Sequence, residues 1–281
     1  MKTRILAASL LWSLTAFGLF AQGRKLFVVH TSDTHSCIEP ISPNFIDSTQ
    51  ADKGGYLRRA ALMRQLREEN PGRLLLFDCG DFSQGSLYYN LFKGEVEVKL
   101  MNQMQYDACT IGNHEFDFGL DNMARLFRLA KFPVVCCNYD FTGTPVEGLV
   151  KPYIIIERAG VRVGVIGVAP ELDGLVVKKN YGATRYIRPA KAAQPVVDML
   201  RNREHCDLVI CLSHLGFPDG PDRDPTFIAQ TSGIDIVLGG HSHTYFEHPQ
   251  YLKNREGHDV LVEHMGKNAQ WVGTIELELD D

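Results

Sequence analysis

Gly112-Asn113-His114-Glu115-Phe116-Asp117-Phe118-Gly119 follows a short apolar run, Ala108 to Ile111, and precedes a helical pattern from Leu120 to Ala130. The run reads as the end of a buried strand. An amide oxygen, an imidazole and carboxylates therefore sit just past the carboxyl end of a strand, where open α/β sheets place their ligands. The octet predicts an α/β fold whose site is built on strand ends. Asn113 reads as a metal ligand and His114 as a group acting on a bound phosphate.

Four other strand-like runs end in the same way. Leu26–His30 delivers Asp33 and His35, two residues apart and so on one side of an extended chain. Leu74–Phe77 delivers Asp81 after the flexible Gly80. Asp78, just before it, reads as structural. Asp207–Leu212 delivers His214, and Ile234–Leu238 delivers His241 and His243. Taken singly, each has a plain structural explanation, such as an Asp capping a turn or a satisfied histidine. Five in a chain, each directly after an apolar strand, point to one site, because buried Asp and His are costly unless paired or metal-bound. Three or more histidines, two carboxylates and one amide exceed the roughly four ligands of a single zinc ion and suit two ions sharing a carboxylate. The mixed nitrogen and oxygen donors without thiolate suit zinc, manganese, iron(II) or cobalt over magnesium or calcium alone.

The connecting pattern is helical at Tyr56–Glu69, Glu95–Met104 and Pro189–Arg203, with a hairpin predicted over Tyr153–Glu157 and Arg162–Val168 about Gly160. Gly54-Gly55 opens the first helix and Asn70-Pro71-Gly72 stops it. Leu62, Met63 and Leu66 read as its buried face, and Arg58, Arg59, Arg64, Arg67 and Glu68 as solvated. Strands are also expected over Asp107–Ile111, Phe132–Cys137, Val260–Val262 and Thr274–Leu279. No repeat, low-complexity stretch or hinge-like linker divides the chain, so the 281 residues, 44% hydrophobic, read as one large domain over residues 22–281.

Residues 1–21 stand apart. Lys2 and Arg4 precede an uncharged apolar run from Ile5 to Leu19, ending at Ala21, which reads as a cleaved secretory signal. The run is shorter than the roughly 20 residues of a membrane span, and no later stretch replaces it. The expected product is therefore soluble and periplasmic or extracellular. Cleavage takes the formal charge from −5 to −7. The absence of a Lys/Arg cluster argues against a nucleic-acid polymer as partner. The seven cysteines show no zinc-type pairing and mostly read as small buried hydrophobes, with Cys37, beside the first motif, as the candidate reactive thiol.

Asp33-x-His35, Gly80-Asp81, Gly112-Asn113-His114-Glu115, Ser213-His214 and Gly240-His241-Ser242-His243 stand in the order and spacing of the calcineurin-like metallophosphoesterases, which the chain resembles over residues 26–279. Phe116-Asp117-Phe118-Gly119 and Gly54-Gly55 resemble the 5′-nucleotidase branch in particular. The resemblance implies an α/β/β/α sandwich of two mixed sheets flanked by helices. It also implies one divalent metal on Asp33, His35, Asp81 and His243, and a second on Asp81, Asn113, His214 and His241. His114, paired with Asp117, would stabilise the phosphoryl transition state or protonate the leaving oxygen, leaving Glu115 a structural role. The implied activity is hydrolysis of nucleoside 5′-monophosphates. Within the fold the alternatives are a 2′,3′-cyclic nucleotide phosphodiesterase, a nucleotide-sugar hydrolase, a broad phosphomonoesterase and a sulfur-ester hydrolase. An inactive binding subunit is the alternative outside enzymes. Full-length 5′-nucleotidases carry a further nucleotide-binding domain after this region, so the resemblance leaves two expectations: a separate chain that supplies it as a partner, or a phosphatase with a more open site.

Overall fold

The computed structural model describes residues 24–218 and 220–279; the signal read over residues 1–21 lies outside them. Strands follow one another as β1 (Arg24–Thr31), β2 (Leu74–Asp78), β3 (Ala108–Cys109), β4 (Val134–Val135), β5 (Tyr139–Asp140), β6 (Val150–Lys151) and β7 (Tyr153–Arg158). They continue as β8 (Val161–Val168), β9 (Arg185–Tyr186), β10 (Leu208–Ser213), β11 (Ile236–Gly239), β12 (Gln250–Lys253), β13 (Asp259–His264) and β14 (Gly273–Leu279). Two six-stranded sheets result, ordered β14-β1-β2-β3-β4-β6 and β12-β13-β11-β10-β8-β7, with β5 and β9 forming a small third pair. Both large sheets are mixed. Their central strands run parallel, while β14 on the first and β7 and β12 on the second are antiparallel.

The alternation of side chains along the central strands sets the layers, since a strand turns successive residues to opposite faces. Leu75 and Phe77 of β2 face Val163, Val165, Ile210 and Leu212 of the other sheet, forming the core between the sheets. Leu74 and Leu76 face outward onto the helices Tyr56–Glu69, Glu95–Met104 and Gly119–Leu129. Ile166, Val168, Val209 and Cys211 of the second sheet pack on the helices Pro189–Asn202 and Asp224–Gln230. The result is the α/β/β/α sandwich implied by the resemblance. Strands buried on both faces read as continuous apolar runs, and these are such strands.

Several expectations need correction. Only Ala108–Cys109 of the predicted strand Asp107–Ile111 is in the ladder. Asp107 instead accepts Leu76 N–H through its side chain (2.8 Å), and Thr110 Oγ1 donates to Val135 O (2.9 Å). Phe132–Cys137 shortens to Val134–Val135, because Cys137 N–H crosses to Gly167 O of the second sheet (2.8 Å). On the first helix Leu62 is exposed, Arg67 is half-buried and Arg59 is buried, its Nη1 donating to Thr34 Oγ1 at 2.7 Å. The four arginines of this helix look alike in sequence, but Arg59 is the one whose side chain bonds the turn after β1. The helix Leu87–Phe92 and strand β12 have no counterpart in the sequence reading, being short and, in β12, largely exposed. Five cysteines are buried, and no disulfide forms among the described residues.

Candidate metal centre

The site lies where the carboxyl ends of β1, β2 and β3 from one sheet meet those of β10 and β11 from the other. Ligand-type atoms of Asp33, His35 and His243 lie within 4.8 Å of one another, and so do those of Asp81, His214 and His241. Asp81 also joins His35 and His114 in an overlapping third group, so it stands between the two clusters. Six of the seven residues that the sequence assigned to metal binding, Asp33, His35, Asp81, His214, His241 and His243, converge here together with His114, and Asn113 precedes His114 in the chain. Asp117 reaches His114, with 2.9 Å between Oδ2 and Nδ1.

The backbone achieves this with tight turns. Asp33, Asp81, His241 and His243 all have positive φ, between 46° and 74°. Such conformations cluster at functional sites, where the surrounding structure holds them, and Asp and His tolerate them better than most residues. Gly112 has to be glycine: a Cβ there would lie 2.1 Å from Asp81 Oδ1. That close approach lets His114 N–H donate to Asp81 Oδ1 at 2.9 Å. Glu115 is the buried organiser of the octet. It accepts N–H groups from Gly112 (2.7 Å), Asp81 (2.9 Å) and Ser83 (3.2 Å), tying two ligand loops together. Asp78 is structural too, accepting Gly80 N–H at 3.0 Å and Thr31 Oγ1–H at 2.6 Å.

The donor chemistry fits divalent metal. His35 Nε2, His243 Nε2 and Asp33 Oδ1 form a triangle with edges of 2.9, 3.9 and 3.7 Å. Ligands roughly 2.0–2.1 Å from a tetrahedral ion lie about 3.4 Å apart. In the other cluster Cys79 O can only accept, so the 2.6 Å contact from His214 Nδ1 is an N–H donation that orients the ring. The opposite nitrogen, Nε2, lies 3.1 Å from Asp81 Oδ2 without the alignment of a hydrogen bond. Asn113 Oδ1 is likewise buried with no protein partner. Both are buried polar atoms of metal-ligating type that protein hydrogen bonds leave unsatisfied.

The charges of the donors act strongly on one another. Burial pushes the Asp33 carboxyl up, against the opposing pull of His214. Burial acts to raise Asp81 as well, but His214, with His114 and His35 beside it, holds this carboxyl well below its usual range. His35 is lowered to about 4 and His241 to about 3, in each case chiefly by burial, which keeps both rings neutral and able to ligate. His214 rises to about 10: burial lowers it, but the facing Asp81 and Asp33 prevail. Burial likewise opposes charge on His114, and the Asp117 and Asp81 carboxylates outweigh it and raise its pKa. The Cys37 thiol is pushed up by burial and donates to Glu39 O at 3.3 Å, both of which reduce its thiolate character.

Around this centre lie residues the sequence reading did not single out. His30 pairs with Glu263 (3.0 Å) and His264 with Asp224 (2.8 Å), buried from opposite faces of β13. Asn268 N–H donates to Asp33 O at 2.8 Å. Both His30 and Glu263-His264 stand at the ends of apolar strands, but nothing local shows which partner each would meet.

A two-sheet α/β sandwich with this set of donors at its strand ends defines a metallophosphoesterase, the class of metal-dependent phosphoric ester hydrolases. The chain belongs to the calcineurin-like phosphoesterase family, which it matches over residues 27–245. It is similar to the snake venom 5′-nucleotidase of Crotalus adamanteus, at 30% identity over 99% of this chain and 49% of the relative. It is also similar to the 5′-nucleotidase of Homo sapiens, at 30% identity over 92% and 47%. Among solved structures, a 5′-nucleotidase precursor from Thermus thermophilus superposes with a TM-score of 0.82 at 32% identity, covering 91% of this chain and 52% of that one. The chain spans about half the length of the curated relatives it matches.

Proposed function

We propose that the protein is an exported phosphohydrolase using two divalent metal ions, and that its substrates are nucleoside 5′-monophosphates. The observation that carries this reading is Asp81, a buried carboxylate shared between two clusters of histidine and carboxylate donors. On this reading Asp33, His35, Asp81 and His243 would hold one ion, and Asp81, Asn113, His214 and His241 the other. Bound there, the ions supply Lewis-acid polarisation of the phosphoryl group and acidify water for in-line attack. Zinc, manganese, iron(II) and cobalt suit the donor set.

The remaining work falls to the chain's own residues. His114 stands beside both clusters, its ring 5.5 Å from that of His35, centroid to centroid, and its Nδ1 held by Asp117. The pairing favours the imidazolium and leaves Nε2 to donate toward a phosphoryl or leaving oxygen. Glu115 and the backbone N–H of His114 hold the loop on which this depends. The nucleotide assignment draws on the 5′-nucleotidases to which the chain is similar, and export on the leader-like residues 1–21.

The test is hydrolysis by protein loaded with Mn²⁺ or Zn²⁺, comparing AMP, a 2′,3′-cyclic nucleotide and p-nitrophenyl phosphate. Preferred turnover of AMP, abolished by a chelator and restored by metal, is the expected outcome. Preference for the cyclic ester would replace the substrate assignment, and turnover of none of them would sink the enzyme reading.

A further inference from the structure

A cleft of about 560 Å³ opens from the candidate metal centre, with His35, His114 and His243 on its floor. That volume lies within the roughly 300–1,000 Å³ usual for small-molecule sites. One wall is the turn after His35, with Ile38, Pro40 and Ile41; the other is the start of the helix Leu87–Phe92, with Leu87 and Tyr88. Both walls are largely apolar, and Leu87 is 75% exposed at the rim.

The walls are fixed to each other at two levels. At the base, Ser36 Oγ and Ser86 Oγ lie 2.5 Å apart, and Ser36 donates to Glu97, a fully buried carboxyl on the next helix. Ser86 also caps the helix Leu87–Phe92, accepting Tyr89 N–H. At the rim, Tyr88 Oη–H donates to Glu39 Oε1 at 3.0 Å. These links tie the two walls together, so the cleft is held open in advance instead of closing on its contents. A phosphoryl group seated over the three histidines would direct its leaving group between them.

We infer that this cleft is the leaving-group subsite, and that it selects phosphate esters whose leaving group carries an apolar aryl ring next to the ester oxygen over esters of small polar alcohols. The inference rests on the phosphohydrolase reading above for the seating of the phosphoryl group. Ile38, Ile41 and Leu87 offer a polar alcohol no hydrogen-bond partner, and Glu39 and Tyr88 are paired with each other, so such an alcohol would lose water against these walls with little compensation. A ring would gain by the burial of its apolar surface.

Binding measured without turnover tests this apart from catalysis. Phenylphosphonate and methylphosphonate, whose C–P bonds resist phosphoester hydrolysis, are titrated calorimetrically into the Mn²⁺-loaded protein. The expected result is phenylphosphonate binding about tenfold or more tighter than methylphosphonate. In Leu87→Ser and Ile41→Ser variants, the first altered at an exposed and the second at a half-buried position, that ratio should fall to about twofold or less. Equal affinities in the unaltered protein, or a ratio unmoved by both substitutions, would overturn the inference. A phenyl preference without hydrolysis of AMP, the cyclic nucleotide or p-nitrophenyl phosphate would keep the cleft and reject the hydrolase reading.

Discussion

His114 and its neighbours illustrate how one octet divides its labour. His114→Ala should reduce ester turnover by about 10²- to 10⁴-fold, the usual worth of a positioned acid. Its metal content, measured by elemental analysis, should stay near that of the unaltered protein, because His35, Asp33 and His243 form their cluster without it. Loss of metal together with activity would show that His114 is a ligand. Gly112→Ala makes the opposite case: the added methyl would press on Asp81 Oδ1 and on the turn that holds it. It should lower metal occupancy and activity together, which the same two assays read. Asn113 and His114 stood out by position and residue type, and Asp117 through the family resemblance; its contact with His114 is 2.9 Å. Glu115 was legible only by elimination, since nothing in the sequence shows that its carboxylate reaches Asp81 and Ser83 N–H groups more than thirty residues away along the chain.

Among elements, the helix Tyr56–Glu69 shows where patterning fails. Its ends are as read from Gly55 and Asn70, yet one arginine of the adjacent pair is buried and the other is not. Arg59 donates to Thr34 Oγ1 and lies near the fully buried Asp78, whose carboxyl burial raises to about 6 while Thr31 and Arg59 pull it down. Removing one partner of a buried charge group leaves the other uncompensated. Arg59→Met should therefore cost about 3–5 kcal/mol in urea unfolding. Arg58→Met, which breaks only the exposed contact to Asp52, should stay within about 0.5 kcal/mol. Equal effects would mean that Arg59 serves only as packing. Short elements such as Leu87–Phe92 escape the sequence for a related reason: a six-residue helix has too few turns for its period to register.

For the whole molecule, the seam between the sheets is the deciding contact. A Cβ on Gly167 of β8 would stand 2.1 Å from Val135 O of β4, while Cys137 N–H donates to Gly167 O. Gly167→Val should overpack this seam and destabilise the protein by about 1–3 kcal/mol or more in denaturant unfolding. Divalent metal should act in the other direction. Two buried carboxylates and several histidines converge on one volume, so Mn²⁺ or Zn²⁺ at about 100-fold over its dissociation constant should stabilise the fold by about 2.7 kcal/mol. Differential scanning calorimetry with and without chelator reads this as a shift in Tm, and no shift would argue against a site on these residues.

By itself the sequence marked the strands buried on both faces and the candidate donors that follow them. Runs such as Leu74–Phe77 and Leu208–Leu212 are apolar throughout because both faces of these strands are covered, and polar groups follow them because strand ends are where an α/β sheet meets solvent and ligand. Tertiary structure alone decided which donors share a neighbourhood. Asp33 and His243 are brought together only when β1 of one sheet and β11 of the other end at the same edge, and no local periodicity encodes that distance. It also decided the cleft beside them, since the hydroxyl link between Ser36 and Ser86 and the phenol link between Tyr88 and Glu39 join loops about fifty residues apart. Local pattern records what a residue tolerates around it, whereas a site depends on which loops the packed sheets bring to one edge.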